Sequence, residues 1–221
     1  MHFPTRRDAP YQAGETALLL VDMQRIWCEP GLDPAHPETN PDTYFFERLR
    51  STVIPNQMRL LLAARAGGLE VIHTLIEALT PDGRDRSPDH KLSQILVPRG
   101  MPEGRIISEL APLEREIVLP KTSSGVFNST NIDYVLRNLG IRYLIIAGVV
   151  TDQCVDMAMR DASDRGYYPS VPEDACATYT EARHRAALTA FGGYGWVTDT
   201  ESVLKHIAAM TDAWAETRGL A

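Results

Sequence analysis

Short apolar runs alternate with stretches of helical period along almost the whole chain, and this rhythm constrains the fold more than any other feature. Apolar runs cover Thr16–Val21, Leu69–Leu75, Glu116–Leu119 and Tyr143–Ala147, with shorter ones at Tyr168–Val171 and Trp196–Thr198. Between them lie predicted helices at Val53–Ala66, Thr130–Leu139, Thr151 to about Arg165, Thr180–Phe191 and Glu201–Trp214. Strand–helix alternation of this kind predicts an α/β protein with a doubly wound, mostly parallel sheet and helices on both faces. The punctuation agrees. Gly67 and Gly68, Gly140 and Gly166 each follow a helical stretch, where a left-handed residue stops it. Thr130 with Asp133 three residues on resembles a capping box, and Thr151 suits a helix cap. Pro169 weakens the Tyr168–Val171 strand, because proline cannot donate to a ladder.

At 221 residues, with no repeat, linker or low-complexity segment, the whole chain 1–221 reads as a single domain. Two long polar connections interrupt it, one from Glu29 to Thr43 and one from Thr80 to Arg105, and loops of that length are commonly functional. A net charge of -7 without a basic stripe argues against a nucleic-acid partner. No apolar run approaches the roughly 20 residues that a membrane span requires. The N-terminal stretch MHFPTRRDAPY lacks an apolar signal-peptide core. Cys28, Cys154 and Cys176 are odd in number and widely spaced, which fits free thiols in a reducing compartment. A cytoplasmic protein acting on a small molecule is expected.

Three of the strand candidates end in chemically active residues: Asp22 after ALLLV, Lys121 after EIVLP, and Cys154 after LIIAGVVTDQ. In an open α/β sheet the carboxyl ends of the strands face one crevice, where ligands bind. An acid, a base and a thiol delivered there are the parts of an activated cysteine nucleophile. Cys154 falls at the third position of a predicted helix, where the helix dipole favours thiolate and lowers the thiol pKa. The same position suits a small buried hydrophobe equally well, since free cysteine is among the most buried residue types. Asp22 ends a wholly apolar run and needs a cation, because an unpaired buried charge is costly. Lys121 can supply it.

LLLVDMQ, LPKTSSGVFNST and IIAGVVTDQCV together resemble the isochorismatase-like cysteine hydrolases, a superfamily that includes ureidoacrylate, biuret and N-carbamoylsarcosine amidohydrolases and the nicotinamidases. The resemblance runs from about Glu15 to Ile207. It implies a six-stranded Rossmann-like sheet and a homodimer or homotetramer; a partner subunit completing the pocket, with the C-terminal helix and Trp214 as contact surface, is the expected arrangement. It places the catalytic aspartate, lysine and cysteine on Asp22, Lys121 and Cys154. It implies a cis peptide between Val149 and Val150, and an oxyanion hole from the backbone N–H groups of Val150 and Cys154. The expected activity is cleavage of a C–N bond in a small ureido or amide compound, through a thioester. Isochorismatase proper, a vinyl-ether hydrolase, is the alternative. A nicotinamidase or a non-catalytic binding module ranks lower.

Gln24, Trp27, Glu77, Phe127 and Asn128 lie near strand ends or in the motif loops and are the candidate substrate-binding residues. Glu77 and the Arg84/Arg86 loop are candidates for holding a polar ureide or its carboxylate. His73 also ends a strand, but the Asp-x-His arrangement of the metal-dependent nicotinamidases is absent. No metal or other cofactor is called for, and His73 reads as a hydrogen-bonded structural residue.

Overall fold

A computed structural model describes residues 6–33 and 43–217, with side chains to residue 213. The Trp214 side chain, and the middle of the loop between Glu29 and Thr43, therefore lie outside what is described. In chain order the first half comprises β1 (Thr16–Val21), the single turn α1 (Arg25–Cys28), α2 (Tyr44–Arg48), α3 (Ile54–Ala66), β2 (Glu70–Ile76), α4 (Pro88–Leu92) and β3 (Ile117–Lys121). The second half comprises α5 (Val126–Ser129), α6 (Ile132–Asn138), β4 (Tyr143–Val149), α7 (Asp156–Asp164), β5 (Tyr168–Pro172), β6 (Cys176–Ala177), α8 (Glu181–Phe191), β7 (Trp196–Thr198) and α9 (Thr200–Thr217).

The sheet order is β3-β2-β1-β4-β5-β7, with every strand pairing parallel. These are the six strands expected. The two-residue β6 is a seventh, pairing with the end of β4 at Gly148 and Val149, beyond the point where β5 has left it. Pro169 is accommodated because it precedes Ser170, the first residue of β5 to meet β7. β1 and β4 are buried at every position, which is why both read as continuous apolar runs rather than alternating ones. α3 and α9 pack together on one face of the sheet, and α5 to α8 cover the other. That is the arrangement right-handed crossovers produce when the strand order reverses.

The reversal falls between β1 and β4. Their register pairs Val21 with Gly148, so Asp22 and the turn leading to Cys154 leave the sheet side by side. Gly148 makes that approach possible. Its φ is +139°, and a Cβ there would stand 2.2 Å from the Val21 carbonyl oxygen.

Two local expectations are corrected. Thr151 does not cap the helix. The chain instead makes a wide π turn, Thr151–Val155, before α7, and the Thr151 hydroxyl pairs with His184 Nδ1 at 2.9 Å. Thr130 does not form a capping box with Asp133. α6 begins after Asn131; the Thr130 hydroxyl accepts from the Ile132 N–H at 3.1 Å and donates to the Val126 carbonyl at 2.7 Å. Asp133 is used elsewhere, bonded to Arg137 and Tyr167.

Candidate active site

Asp22, Lys121 and Cys154 meet at the carboxyl end of the sheet. Asp22 follows β1 with φ at +54°, in the left-handed region that aspartate tolerates better than most residues. Its N–H donates to the Thr74 carbonyl on β2, and the Thr74 hydroxyl donates to Asp22 Oδ1 at 2.8 Å. The other carboxylate oxygen faces Lys121. Lys121 closes β3 and reaches past β2, setting Nζ 2.8 Å from Asp22 Oδ2. The same ammonium donates to the Ser123 carbonyl at 3.0 Å and to Cys154 Sγ at 3.4 Å. Asp22 is 1% and Lys121 0% exposed, so the ion pair is wholly inside the protein. Cys154 is buried apart from its face on the cleft.

Electrostatics here depart from the expectation that the helix start lowers the thiol pKa. Burial pushes the Cys154 thiol up to about 12, because a desolvated thiolate is unfavourable. Lys121 pulls it down and the Asp22 carboxylate pushes it back up. The resting group is thus a thiol beside an ion pair. For Lys121, burial works against the ammonium, but Asp22 and then Cys154 outweigh it and hold the amine above the usual lysine range.

The turn between β4 and Cys154 carries a cis peptide at Val149–Val150, as the resemblance implied. The Val150 carbonyl accepts from the N–H groups of Gln153 and Val155. Behind the turn, the Thr151 hydroxyl, the His184 ring and the Arg48 guanidinium form a hydrogen-bonded row. Burial and the neighbouring Arg48 push His184 down to about 4. It is therefore neutral near neutral pH, accepting from Arg48 through Nε2.

The cleft above Cys154 encloses about 480 Å³, ordinary for a small-molecule site. Of the five expected substrate-binding residues, Trp27 lines it. Gln24 is turned inward with its amide fully occupied. Nε2 donates to the carbonyls of Ile76 and Gly104, while Oε1 accepts from the Ile76 N–H and Trp27 Nε1. It ties the end of β2 to two loops and has no bond left for a ligand. Glu77 lies outside the cleft and pairs with Arg99. Phe127 is buried against Tyr167 beneath the Arg165 guanidinium. Asn128 is exposed on α5, away from the cleft. Arg84 pairs with Asp82, and the Arg86 guanidinium serves the carbonyls of Gly83 and Ile95, so neither lines the cleft.

Sequence reasoning missed most of the wall. Phe45 and Phe46 come from α2, and Tyr179 from the segment between β6 and α8. Their signal was weak, since none stands at the end of an apolar run. His73 is buried on β2, its Nε2 3.3 Å from Glu116, which Arg65 holds at about 2 against the cost of burial. Among the described residues, no group of three or more His, Cys, Asp or Glu is placed to hold a metal ion. No described helix is long and apolar enough to cross a membrane.

Comparison with known proteins follows the same lines. The isochorismatase domain model matches residues 16–202. Ureidoacrylate amidohydrolase of Serratia proteamaculans is 32% identical, the match covering 93% of this chain and 88% of that protein. The enzyme of the same name from Klebsiella variicola is 31% identical. A cysteine hydrolase from Pseudomonas syringae superposes with a TM-score of 0.79 at 28% identity, covering 91% of this chain and 96% of its own. N-carbamoylsarcosine amidase from Thermoplasma acidophilum shares the fold, with a TM-score of 0.67 at 24% identity, covering 84% and 96%.

Proposed function

Because this chain belongs to the isochorismatase family of hydrolases, we propose that it is a cysteine-dependent amidohydrolase cleaving a C–N bond of a small amide or ureido compound. The observation that carries this reading is the contact series Asp22–Lys121–Cys154, 2.8 and 3.4 Å, at the floor of a cleft. Burial keeps the resting sulfur a thiol, so its proton has to leave as the attack occurs. Asp22 takes the thiol proton as Cys154 Sγ attacks the substrate carbonyl, while Lys121 stabilises the sulfur anion. The tetrahedral oxyanion rests on the backbone N–H groups of Val150 and Cys154, each such donor being worth about 3 kcal/mol in systems of this type. Asp22 then gives its proton to the leaving amine, and the C–N bond breaks to leave an acyl or carbamoyl thioester. Water cleaves that ester and returns the thiol. A ureido substrate yields a carbamate, which falls apart to ammonia and carbon dioxide.

The names of the Serratia, Klebsiella and Thermoplasma relatives support this reading, as does the full set of three polar groups. The test is ammonia release from a panel of amides and ureides, with Cys154→Ser as control. Activity that dies in the variant while its circular dichroism stays unchanged supports the proposal. Undiminished turnover in Cys154→Ser refutes it, as does release of pyruvate from isochorismate without ammonia from any amide.

A further inference from the structure

On the amidohydrolase reading, the turn that delivers Cys154 also carries the Val150 N–H, so whatever fixes this turn decides how an oxyanion is received. Two neighbouring side chains of α8 hold it. Arg183 pairs with Asp152 at the rim, where the arginine side chain is 42% exposed and an ion pair contributes little. His184 works in the interior. It is 4% exposed and sets Nδ1 2.9 Å from the hydroxyl of the wholly buried Thr151. On the other side of the ring, Arg48 Nη2 stands 2.9 Å from Nε2. A guanidinium has donors only, so Nε2 accepts and the neutral ring keeps its proton on Nδ1, facing Thr151. Arg48 is itself held by the carbonyls of Cys176 and Glu173, at 3.0 and 2.8 Å. Cys176 pairs in β6 with Gly148, two residues before Val150. The row thus leaves the chain at Thr151 and returns to it at β4, closing around the turn from both sides.

Resting on the amidohydrolase reading, we propose that His184, oriented by Arg48, is a positioning residue that acts through Thr151 to aim the Val150 N–H at the developing oxyanion. The nucleophile has an anchor of its own, since the Lys121 ammonium donates to Cys154 Sγ at 3.4 Å. Loss of the row therefore disturbs the donor and spares the thiol. The oxyanion develops only as the bond to sulfur forms, so a misdirected donor lowers kcat and leaves KM alone. Deleting such a donor typically costs about 10²–10³ in kcat, and turning it aside costs part of that.

The assay is ammonia release from the amide or ureide that the wild type hydrolyses fastest. Thr151→Val keeps the shape of the side chain without the hydroxyl, and His184→Leu removes the ring. Each is expected to lower kcat at least about tenfold, with KM within about twofold. The double variant is expected to lose no more than the worse single, because both changes break one row; additive losses overturn the proposal. Thr151→Ser restores the hydroxyl, and His184→Asn can donate from the place of Nδ1, so both are expected to recover most of the loss. Iodoacetamide alkylation of Cys154, a displacement that forms no oxyanion, is expected to keep its wild-type rate in Thr151→Val. Thr151→Val and Thr151→Ser carry the test even where His184→Leu fails to fold. Full kcat in Thr151→Val overturns the positioning role and leaves the hydrolase reading standing, as does alkylation that falls in step with kcat. A wild type that releases ammonia from no amide or ureide overturns both.

Discussion

Removing the Lys121 ammonium tests the buried site without any knowledge of the substrate. Lys121→Met keeps the length and apolar stem of the side chain but takes away the cation that stands 2.8 Å from Asp22. The Asp22 carboxylate, 1% exposed, is then left with the Thr74 hydroxyl and its own N–H bond as local support. Breaking one half of a buried pair typically costs about 3–5 kcal/mol, because the surviving charge stays desolvated and uncompensated. That is a large share of the 5–15 kcal/mol that stabilises an ordinary domain. With a urea dependence of about 2 kcal/mol per molar, the unfolding midpoint should fall by roughly 2 M. Asp22→Asn/Lys121→Met removes both charges and keeps a hydrogen-bonding group for Thr74, so it should recover most of the loss. Urea titrations followed by circular dichroism at pH 7 on the wild type, both single variants and the double variant give the coupling directly. A coupling below about 0.5 kcal/mol, the two single costs simply adding, would refute the claim that these charges depend on one another.

Two further outcomes follow from the titrating groups. Alkylation of Cys154 by iodoacetamide, followed by peptide mapping, should climb about tenfold per pH unit from neutrality to beyond pH 10, since burial holds the thiol near 12. Asp22→Asn should speed it at any fixed pH, because that carboxylate raises the thiol; a rate that levels off near pH 7 would contradict both statements. His184, held near 4 by burial and Arg48 against an ordinary value of 6.5, binds a proton more readily in the unfolded chain. Its contribution is complete above about pH 6.5 and drains away as pH falls toward 4, worth about 2 kcal/mol after allowance for screening by solvent. His73 and His90, also lowered by burial, act in the same direction. His184→Gln should make the stability profile shallower in that window, and an unaltered slope in urea titrations between pH 4 and 7 would count against the assignment.

What was legible in the sequence and what was not divides along physical lines. β1 and β4 are buried on both faces, so their apolar runs are continuous and their ends are sharp. Asp22, Lys121 and Cys154 could be found because each breaks such a run or follows it closely. Hydroxyl partners were harder to foresee. Thr151 and Thr130 have side chains suited to capping, but the Thr151 hydroxyl goes to His184, and the Thr130 hydroxyl donates back to the Val126 carbonyl while accepting from the Ile132 N–H, without a capping box to Asp133. Gln24 stands two residues past Asp22, yet the loop around Gly104 and the end of β2 claim its whole amide. The cleft wall was least legible. Phe45, Phe46 and Tyr179 come from segments more than a hundred residues apart in sequence, and only the folded chain shows that they share a surface.

The polar floor and the aromatic wall are anchored differently. Asp22 and the turn to Cys154 hang from the central strands β1 and β4, and Lys121 from β3, paired along its length to β2, so a displacement would have to drag the ladder with it. Phe46 and Tyr179 ride on peripheral connections that no ladder holds. Selectivity in this chain can therefore drift, residue by residue, while the reacting groups keep their spacing. A newly acquired arginine on that outer rim would retune which molecules enter without touching the bond-breaking step.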